Sequence, residues 1–241
     1  MAGVAAGGCC PGQWWDRSVL QLDYDNDVIA QSRRYSSEPA PSSPYERARA
    51  AGRETLRATV VDAAGAILAN EGPAGLTMRR LAAALGCTTT VLYTMFASKQ
   101  GLIDAMYREG FDRLTARMRA IPLDAPPAER LRLSGGAYRE NALASPQLYQ
   151  LTFGAAAPEH APGPDARAAA EASLGPLIEI VRACIDAGLF RPEDPRFVAQ
   201  VLTAAAHGAV SLELSHYFWS PEEAEQRYNT LTAAAAQAFA R

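Results

Sequence analysis

Apolar side chains recur every three to four residues along most of this 241-residue chain. One such stripe begins after Arg53 and comprises Leu56, Val60, Ala63, Ala64, Ile67 and Leu68. It should end at Gly72 and Pro73, because glycine accepts a left-handed conformation and proline cannot continue a helix. Alternating runs of Val, Ile and Thr, which would indicate strands, are nearly absent. The pattern predicts an all-α protein of about nine helices.

The next stretch predicts two short helices separated by a tight turn. Thr77 is placed to cap the first helix, since its hydroxyl oxygen accepts a bond from a free backbone N–H. Gly86 supplies the positive φ for the turn, and Thr88 is placed to cap the second helix. Ser98 then caps a longer helix that Pro122 ends. Two short helices around a glycine turn are typical of a helix-turn-helix.

Five further helices are predicted downstream, at about 126–143, after Pro146, at 165–187, at 195–217 and from Pro221 to the C-terminus. Residues 154–164, rich in Ala, Pro and Gly, are predicted as a loop. Residues 1–44 end in a Pro- and Ser-rich linker and are expected to be a disordered extension. The alternative is a short docked helix around Trp14 and Trp15.

Charge is unevenly distributed along the chain. The net charge is −3, which alone disfavours a nucleic-acid partner. Residues 45–120, however, hold eleven Arg and Lys against seven Asp and Glu, whereas the rest of the chain holds twelve against nineteen. The helix-turn-helix therefore lies in a basic segment that is joined to an acidic one.

Metal, cofactor and catalytic chemistry are not expected. The four cysteines lack metal-site spacing and fit a reducing cytoplasm as free thiols: Cys9, Cys10, Cys87 and Cys184. Glu213 and His216 lie three apart on a predicted helix, but no further ligand accompanies them. Three histidines and no nucleophile–base constellation argue against an enzyme. No signal peptide and no run of ~18 apolar residues is found, so a cytoplasmic protein without membrane contact is expected.

The third predicted helix carries the side chains of a DNA-recognition surface. Threonine hydroxyls bond base edges or phosphates, and threonine methyls contact thymine methyls. Tyr93 offers a hydroxyl to a phosphate oxygen, and Lys99, the only lysine of the chain, stands where a helix N-terminus helps to hold an anion. The outward threonines are Thr88, Thr89, Thr90 and Thr94.

The motif residues stand at characteristic spacings: Leu76-Thr-Met-Arg-Arg-Leu-Ala, Leu85-Gly86, Leu92-Tyr93, Phe96, and Ser98-Lys99 followed by Leu102. In this series the chain resembles the TetR family of transcription regulators. The resemblance is close over about Arg53 to Arg113 and elsewhere extends only to the helical layout. It implies a DNA-binding domain at 45–113, a ligand-binding and dimerisation domain at 114–241, and a homodimer formed by the last two helices.

The resemblance also assigns roles to individual residues. Phosphate contacts are implied for Thr77, Tyr93 and Lys99, and residues 88–90 and 94 would lie nearest the bases. The predicted DNA-binding residues are Arg53, Thr77, Arg79, Thr88, Thr89, Thr90, Tyr93, Thr94 and Lys99. Family members often carry a basic residue where this chain has Thr89. We therefore expect reading through thymine methyls and DNA shape, aided by arginines before the first helix.

An effector pocket would be a mostly apolar cavity between helices. Each candidate lining residue is equally consistent with ordinary core packing: Tyr138, Leu143, Tyr149, Phe153, Leu177, Val181 and His207. The segment Ala-Ala-Ala-His207-Gly208 is similar to a His-Gly signature of one C-terminal subclass of the family. His207 either lines the pocket or satisfies a buried acceptor.

These features favour a ligand-responsive homodimeric repressor that binds a near-palindromic double-stranded operator and a largely apolar small-molecule effector. The alternative is a helical small-molecule carrier or an enzyme without DNA function, which would have no need for Tyr93 and Lys99 at these positions. A third reading, an architectural DNA binder, would not need so large an acidic domain.

Overall fold

The computed structural model describes residues 43–153 and 163–241. The extension predicted at 1–44 and the loop predicted at 154–164 thus lie almost wholly outside the described residues. The described ranges confirm the all-α prediction, and their one strand-type pairing is an isolated bridge between Phe190 and Ala240. The helices are α1 (Pro44–Gly75), α2 (Met78–Leu85), α3 (Thr89–Phe96), α4 (Lys99–Arg119), α5 (Pro127–Ala144), α6 (Pro146–Thr152), α7 (Pro164–Ser173), α8 (Gly175–Asp186), α9 (Pro195–Leu214) and α10 (Pro221–Gln237).

The number of helices agrees with the prediction after one adjustment. Leu174 separates α7 from α8, where the sequence predicted a single helix at 165–187. Counted as one, they give nine helices in the described residues. Gly175 and a following proline stand at this break, and both residue types are poor continuations of a helix.

Helix α1 begins at Pro44 rather than near Arg53. Proline is tolerated in a first turn, where its missing N–H has no helical partner, and the Ala and Arg residues that follow have high helix propensity. The arginines that we expected before the first helix, at positions 47, 49 and 53, therefore lie on α1 itself. The predicted break near its end is confirmed, because Gly72 has a φ of 69°.

Helices α1 to α3 enclose a core with the first half of α4. Its fully buried members include Val60, Val61, Leu81, Leu92, Leu102 and Met106. Helix α4 then continues without interruption into a second core, where Leu114 and Met118 are buried with residues of α5, α9 and α10. One helix thus belongs to two cores.

Helices α9 and α10 pack against each other, and α9 also packs against α8 and α5. By length and composition alone, α9 would be long and apolar enough to cross a membrane. It ends at Leu214 instead of near Tyr217, and His216 lies beyond it with a φ of 55°. Glu213 and His216 therefore do not share a helix face, and Glu213 instead forms a bidentate ion pair with Arg139 of α5 at 2.7 and 2.9 Å.

The crossing of α4 and α6 depends on a glycine. A Cβ atom at Gly110 of α4 would overlap the hydroxyl of Thr152 of α6. That hydroxyl donates to the carbonyl of Leu148 at 2.7 Å, so it is held in place. The close approach brings α6 directly against the helix that joins the two cores.

Replacing Gly110 by Ala should lower the free energy of unfolding by about 1–3 kcal/mol, because α4 and α6 must separate to admit the methyl group. Chemical denaturation measures this difference. The matched control is Gly65→Ala in the interior of α1, where an added Cβ meets nothing within 4 Å and a gain of roughly 0.5–1 kcal/mol is expected. A Gly110→Ala protein as stable as wild type would contradict the close packing.

Candidate nucleic-acid interface and ligand cavity

Helix α2 is capped at both ends, and its C-terminal cap leads into the turn before α3. Thr77 adopts an extended conformation, and its Oγ1 accepts a hydrogen bond from the backbone N–H of Arg80 at 3.1 Å. Gly86 has a φ of 64° and donates its N–H to carbonyls at the end of α2. Thr88 occupies the cap position of α3, but its side chain makes no capping bond, so that part of the prediction is wrong. The Thr88 hydroxyl therefore stays available to another partner.

Helix α3 has one buried and one open side. Leu92 and Phe96 are buried, at 0% and 5% exposure. The open side carries Thr88, Thr90, Tyr93 and Thr94, while Thr89 is half-buried. Val91, which sequence reasoning did not select, is 41% exposed on the same side. Its position three residues before Thr94 places both side chains on one helix face, which is the signal that could have identified it.

The threonines of α3 differ in what they offer a partner. Thr94 Oγ1 donates to the carbonyl of Thr90 at 2.9 Å, so its single hydroxyl hydrogen is already used. It retains an acceptor lone pair and a methyl group. The hydroxyls of Thr88, Thr89 and Thr90 bond no described residue, so they keep both a donor and an acceptor.

Some cations near this surface are unpaired with described residues, and others form ion pairs within the protein. Lys99 opens α4 just after Ser98, whose hydroxyl accepts the N–H of Gly101 at 3.0 Å. The side chains of Lys99 and Arg79 are exposed and pair with no described residue. Arg80, by contrast, forms an ion pair of 2.7 Å with a glutamate of α1.

The arginines of α1 also differ from one another. Arg53 is exposed and pairs with no described residue. Arg57 instead lies over the ring of Phe96 at 5.2 Å from the centroid, and burial lowers the pKa of its guanidinium. Arg57 therefore holds the end of α3 against α1, whereas Arg53 is free to meet an anion.

A cavity of about 440 Å³ lies between α4, α5, α8, α9 and α10. This volume falls within the range of small-molecule sites, roughly 300–1,000 Å³. Its walls are mostly apolar and are completed by small residues of α10. The lining residues are Met118, Ala128, Leu131, Arg132, Ser134, Gly135, Gly136, Tyr138, Leu177, Leu202, Thr203, Ala206, Tyr228, Asn229, Thr232, Ala233 and Ala236.

The predicted pocket residues are only partly brought together. Tyr138 and Leu177 line the large cavity. Tyr149 and Phe153 line a separate void of about 10 Å³ beside α4. Sequence reasoning missed the polar residues Ser134 of α5 and Thr203 of α9. It also missed Tyr228 and Asn229, because the alanine-rich helix α10 gave no sign of a cavity wall.

Two of the predicted pocket residues are corrected by the structure. Leu143 is 38% exposed and does not line the cavity. It lies five positions after Tyr138, about 140° around the helix, so the two side chains point in different directions. Val181 is fully buried among the side chains of α8 and α9 and does not line the cavity.

His207 belongs to a hydrogen-bonded row of side chains. Tyr138 Oη lies 3.2 Å from Tyr149 Oη, and Tyr149 Oη lies 2.7 Å from His207 Nδ1. Ser211 Oγ is 3.4 Å from His207 Nε2. Burial raises the pKa of Tyr149 to about 12 and lowers the pKa of His207. His207 does not line the large cavity, and its hydrogen-bond partners are the hydroxyl groups of Tyr149 and Ser211.

No group of three or more His, Cys, Asp or Glu side chains that could hold a metal ion occurs among residues 43–153 and 163–241. Cys184 is buried, and burial raises the pKa of its thiol. Cys87 is half-buried and packs against the core of α1 to α3. Both therefore behave as small core side chains.

Two protein-family models match the chain. The model described as bacterial regulatory proteins of the tetR family matches residues 60–106. The model described as the C-terminal domain of tetracyclin repressor-like proteins matches residues 131–235. No curated protein is significantly similar to the chain.

Solved structures share the fold. A protein of unknown function from Rhodococcus sp. RHA1 is 28% identical with a TM-score of 0.65, over 77% of this chain and 96% of that one. The TetR family transcriptional regulator PfmR from Thermus thermophilus is 19% identical with a TM-score of 0.59, over 74% and 97%. The ketosteroid transcriptional regulator KstR2 of Mycobacterium tuberculosis is 24% identical with a TM-score of 0.56, over 77% and 95%.

A helix-turn-helix joined to a larger helical domain defines a DNA-binding transcription regulator. The chain belongs to the TetR family, because models of both domains of that family match it. Regulators of this family are soluble proteins that bind operator DNA and small-molecule effectors and form dimers. Membership of the His-Gly subclass stays a prediction.

Proposed function

We propose that this protein is a ligand-responsive, homodimeric, cytoplasmic repressor that binds a near-palindromic operator and catalyses no reaction. The observation that carries the proposal is the exposed row of Thr88, Thr90, Tyr93 and Thr94 on α3. Capped helix ends on both sides hold this row at a fixed orientation. Such a row suits insertion into the major groove.

The phosphate contacts are assigned to Thr77, Tyr93 and Lys99. Thr77 uses its oxygen as a cap acceptor, so its hydroxyl hydrogen is left to donate to a phosphate. Lys99 combines its ammonium with the free N–H groups of the first turn of α4, which together favour an anion. Arg79 and Arg53 extend this cationic surface on α2 and α1.

Base reading is assigned to Thr88, Thr89, Thr90 and Thr94, with Val91 added from its exposure. Helix α3 carries no basic or amide side chain, so it cannot form bidentate bonds to guanine or adenine. Threonine and valine methyl groups instead suit the methyl groups of thymine. The arginines of α1 suit a narrow minor groove, where the potential is most negative.

Helix α4 is assigned the coupling between effector and DNA. We place the boundary between a DNA-binding domain at 45–113 and an effector and dimerisation domain at 114–241 inside this continuous helix. Met118 lines the cavity, while Leu102 lies in the core beneath α3. A ligand that shifts α4 therefore shifts α3. Where that shift weakens DNA binding, DNA must by linkage weaken the binding of the ligand to the same extent.

The dimer is assigned to the outer faces of α9 and α10. Apolar side chains on these faces are exposed, although each helix packs well on its inner side: Phe197 is 48%, Leu212 44% and Leu231 45% exposed. Ala204 and Gly208 lie exposed between them and permit close approach of a second helix. A two-fold axis here would set two copies of α3 against two half-sites.

A carrier or enzyme without DNA function is the second candidate, and the cavity alone would suit it. It gives no reason for Lys99 and Arg79 to stand exposed and unpaired with described residues beside the exposed face of α3. DNA binding therefore separates the two candidates.

Replacing Lys99 by Ala should weaken binding to the DNA upstream of the protein's own gene several-fold. Because one phosphate contact is lost, the slope of log K against log salt should fall by roughly one, with unchanged sequence preference. Fluorescence anisotropy at several salt concentrations measures both. The matched control is Arg182→Ala on the exposed side of α8, which should leave affinity and slope unchanged. An unaltered slope for Lys99→Ala would remove Lys99 from the interface.

Replacing single operator thymines by uracil should weaken binding wherever Thr90, Val91 or Thr94 contacts a methyl group, by about 0.8 kcal/mol per methyl. The matched control replaces guanines by 7-deazaguanine, which lacks the N7 acceptor and should have little effect. Competition binding with modified duplexes measures both. Larger losses with 7-deazaguanine than with uracil would overturn the proposed mode of reading.

Replacing Gly208 by Arg should convert the dimer to a monomer, because a charged side chain would lie on the apolar outer face of α9. An added Cβ at Gly208 meets nothing within 4 Å, so the protomer itself tolerates the change. Sedimentation velocity measures the mass. Gly52→Arg, at an equally open position on α1, is the control and should stay dimeric. A dimeric Gly208→Arg protein would place the interface elsewhere.

A further inference from the structure

The hydroxyl groups in the large cavity already use their hydrogens within the protein. Ser134 Oγ donates to the carbonyl of Leu131 at 2.7 Å, and Tyr228 Oη donates to the carbonyl of Gly135 at 2.7 Å. Thr232 Oγ1 donates to the carbonyl of Tyr228 at 2.9 Å. A carbonyl has no hydrogen, so the hydroxyl is the donor in all three bonds.

The hydroxyl of Tyr138 is used in the same way. Tyr149 Oη lies 2.7 Å from His207 Nδ1, and we assign His207 the tautomer with its hydrogen on Nε2, in which Nδ1 accepts the hydroxyl hydrogen of Tyr149. Tyr149 therefore donates to His207, and its only hydrogen is used. The bond of 3.2 Å between the two tyrosine hydroxyls must then be donated by Tyr138.

The deep wall of the cavity consequently offers acceptors only. Ser134, Tyr138 and Tyr228 are 3%, 4% and 1% exposed, and each hydroxyl oxygen keeps a lone pair but has no hydrogen left. Thr203 and Asn229 lie on the more open side, bond no described residue, and can donate or accept.

The wall, as far as the described residues form it, also lacks an unpaired charge. Arg132 is the one ionisable cation among the lining residues, and it forms an ion pair of 2.6 Å with Glu129 on the exposed side of α5. A carboxylate or phosphate in the deep part would face oxygen lone pairs without a donor. An ammonium group there would lose its hydration without meeting a carboxylate.

We propose that the effector is an uncharged, mainly apolar molecule whose hydroxyl group donates a hydrogen bond to the oxygens of Ser134, Tyr138 and Tyr228. This inference rests on the proposed function, in which the cavity is the effector site. An ether of the same shape brings an acceptor against acceptors and is rejected, because buried polar groups then stay unpaired.

The test uses three probes with the same ten-carbon chain: 1-decanol, 1-methoxydecane and decanoate. Isothermal titration calorimetry measures their binding to the full chain, and release of the upstream DNA is followed in parallel. The alcohol should bind at least tenfold more tightly than the ether, and decanoate should bind more weakly than the alcohol by a larger factor.

Substitution at the wall localises the preference. Tyr138→Phe removes one acceptor and should reduce the ratio of alcohol to ether affinity several-fold. Tyr217→Phe is the matched control, because Tyr217 is 70% exposed and does not line the cavity. Ser134→Ala tests the same wall if Tyr138→Phe unfolds, which circular dichroism reveals.

The outcomes distinguish this inference from the proposed function. Equal affinity for alcohol and ether, or tighter binding of ether or decanoate, overturns the donor requirement even when the bound probes release DNA. Failure of all three probes to bind also overturns it. In either case, salt-dependent DNA binding that weakens in Lys99→Ala would leave the regulator itself intact.

Discussion

The structure depends on a single continuous helix that is buried in two cores. Leu102 and Met106 of α4 pack beneath the recognition helix, and Leu114 and Met118 pack in the second core. Packed cores resist gradual deformation, so a helix shared by two of them tends to move as a unit. The glycine contact between α4 and α6 adds a further constraint, because a side chain at Gly110 would collide with Thr152 of that neighbour.

Local hydrogen bonds decide which chemistry each surface keeps for a partner. Thr77 gives an acceptor to the backbone and keeps a donor, whereas Thr94 gives a donor and keeps an acceptor. In the cavity, Ser134 and Tyr228 have given their donors to carbonyl groups of α5. Two threonines can therefore differ in what they offer a partner, one a donor and the other an acceptor. The amino-acid composition does not reveal this difference.

The sequence predicted elements with local signals and missed those that depend on distant contacts. Caps at Thr77 and Ser98 and the turn at Gly86 follow from a few neighbouring residues, and all three were predicted correctly. The start of α1 was misplaced because an exposed helix has no apolar stripe to mark it. The lining of the cavity was mostly missed, because it joins residues of α5 and α10 that lie about ninety positions apart in the chain. The DNA-contacting and effector roles of individual residues stay predictions.

The acidic net charge does not oppose DNA binding, because charge acts over a short range. The screening length is about 8 Å at physiological ionic strength, so exposed acids on α10 have little effect at α3. DNA affinity depends on the cations near the recognition helix that no described side chain neutralises. In the structure, two of the arginines in this region are already engaged within the protein. Arg80 is neutralised by an ion pair and Arg57 is held over Phe96, whereas Lys99, Arg79 and Arg53 pair with no described residue. In the proposed mode of binding these three cations make few phosphate contacts, so DNA shape and methyl contacts would supply much of the specific affinity, and a threonine-rich recognition helix suits that division.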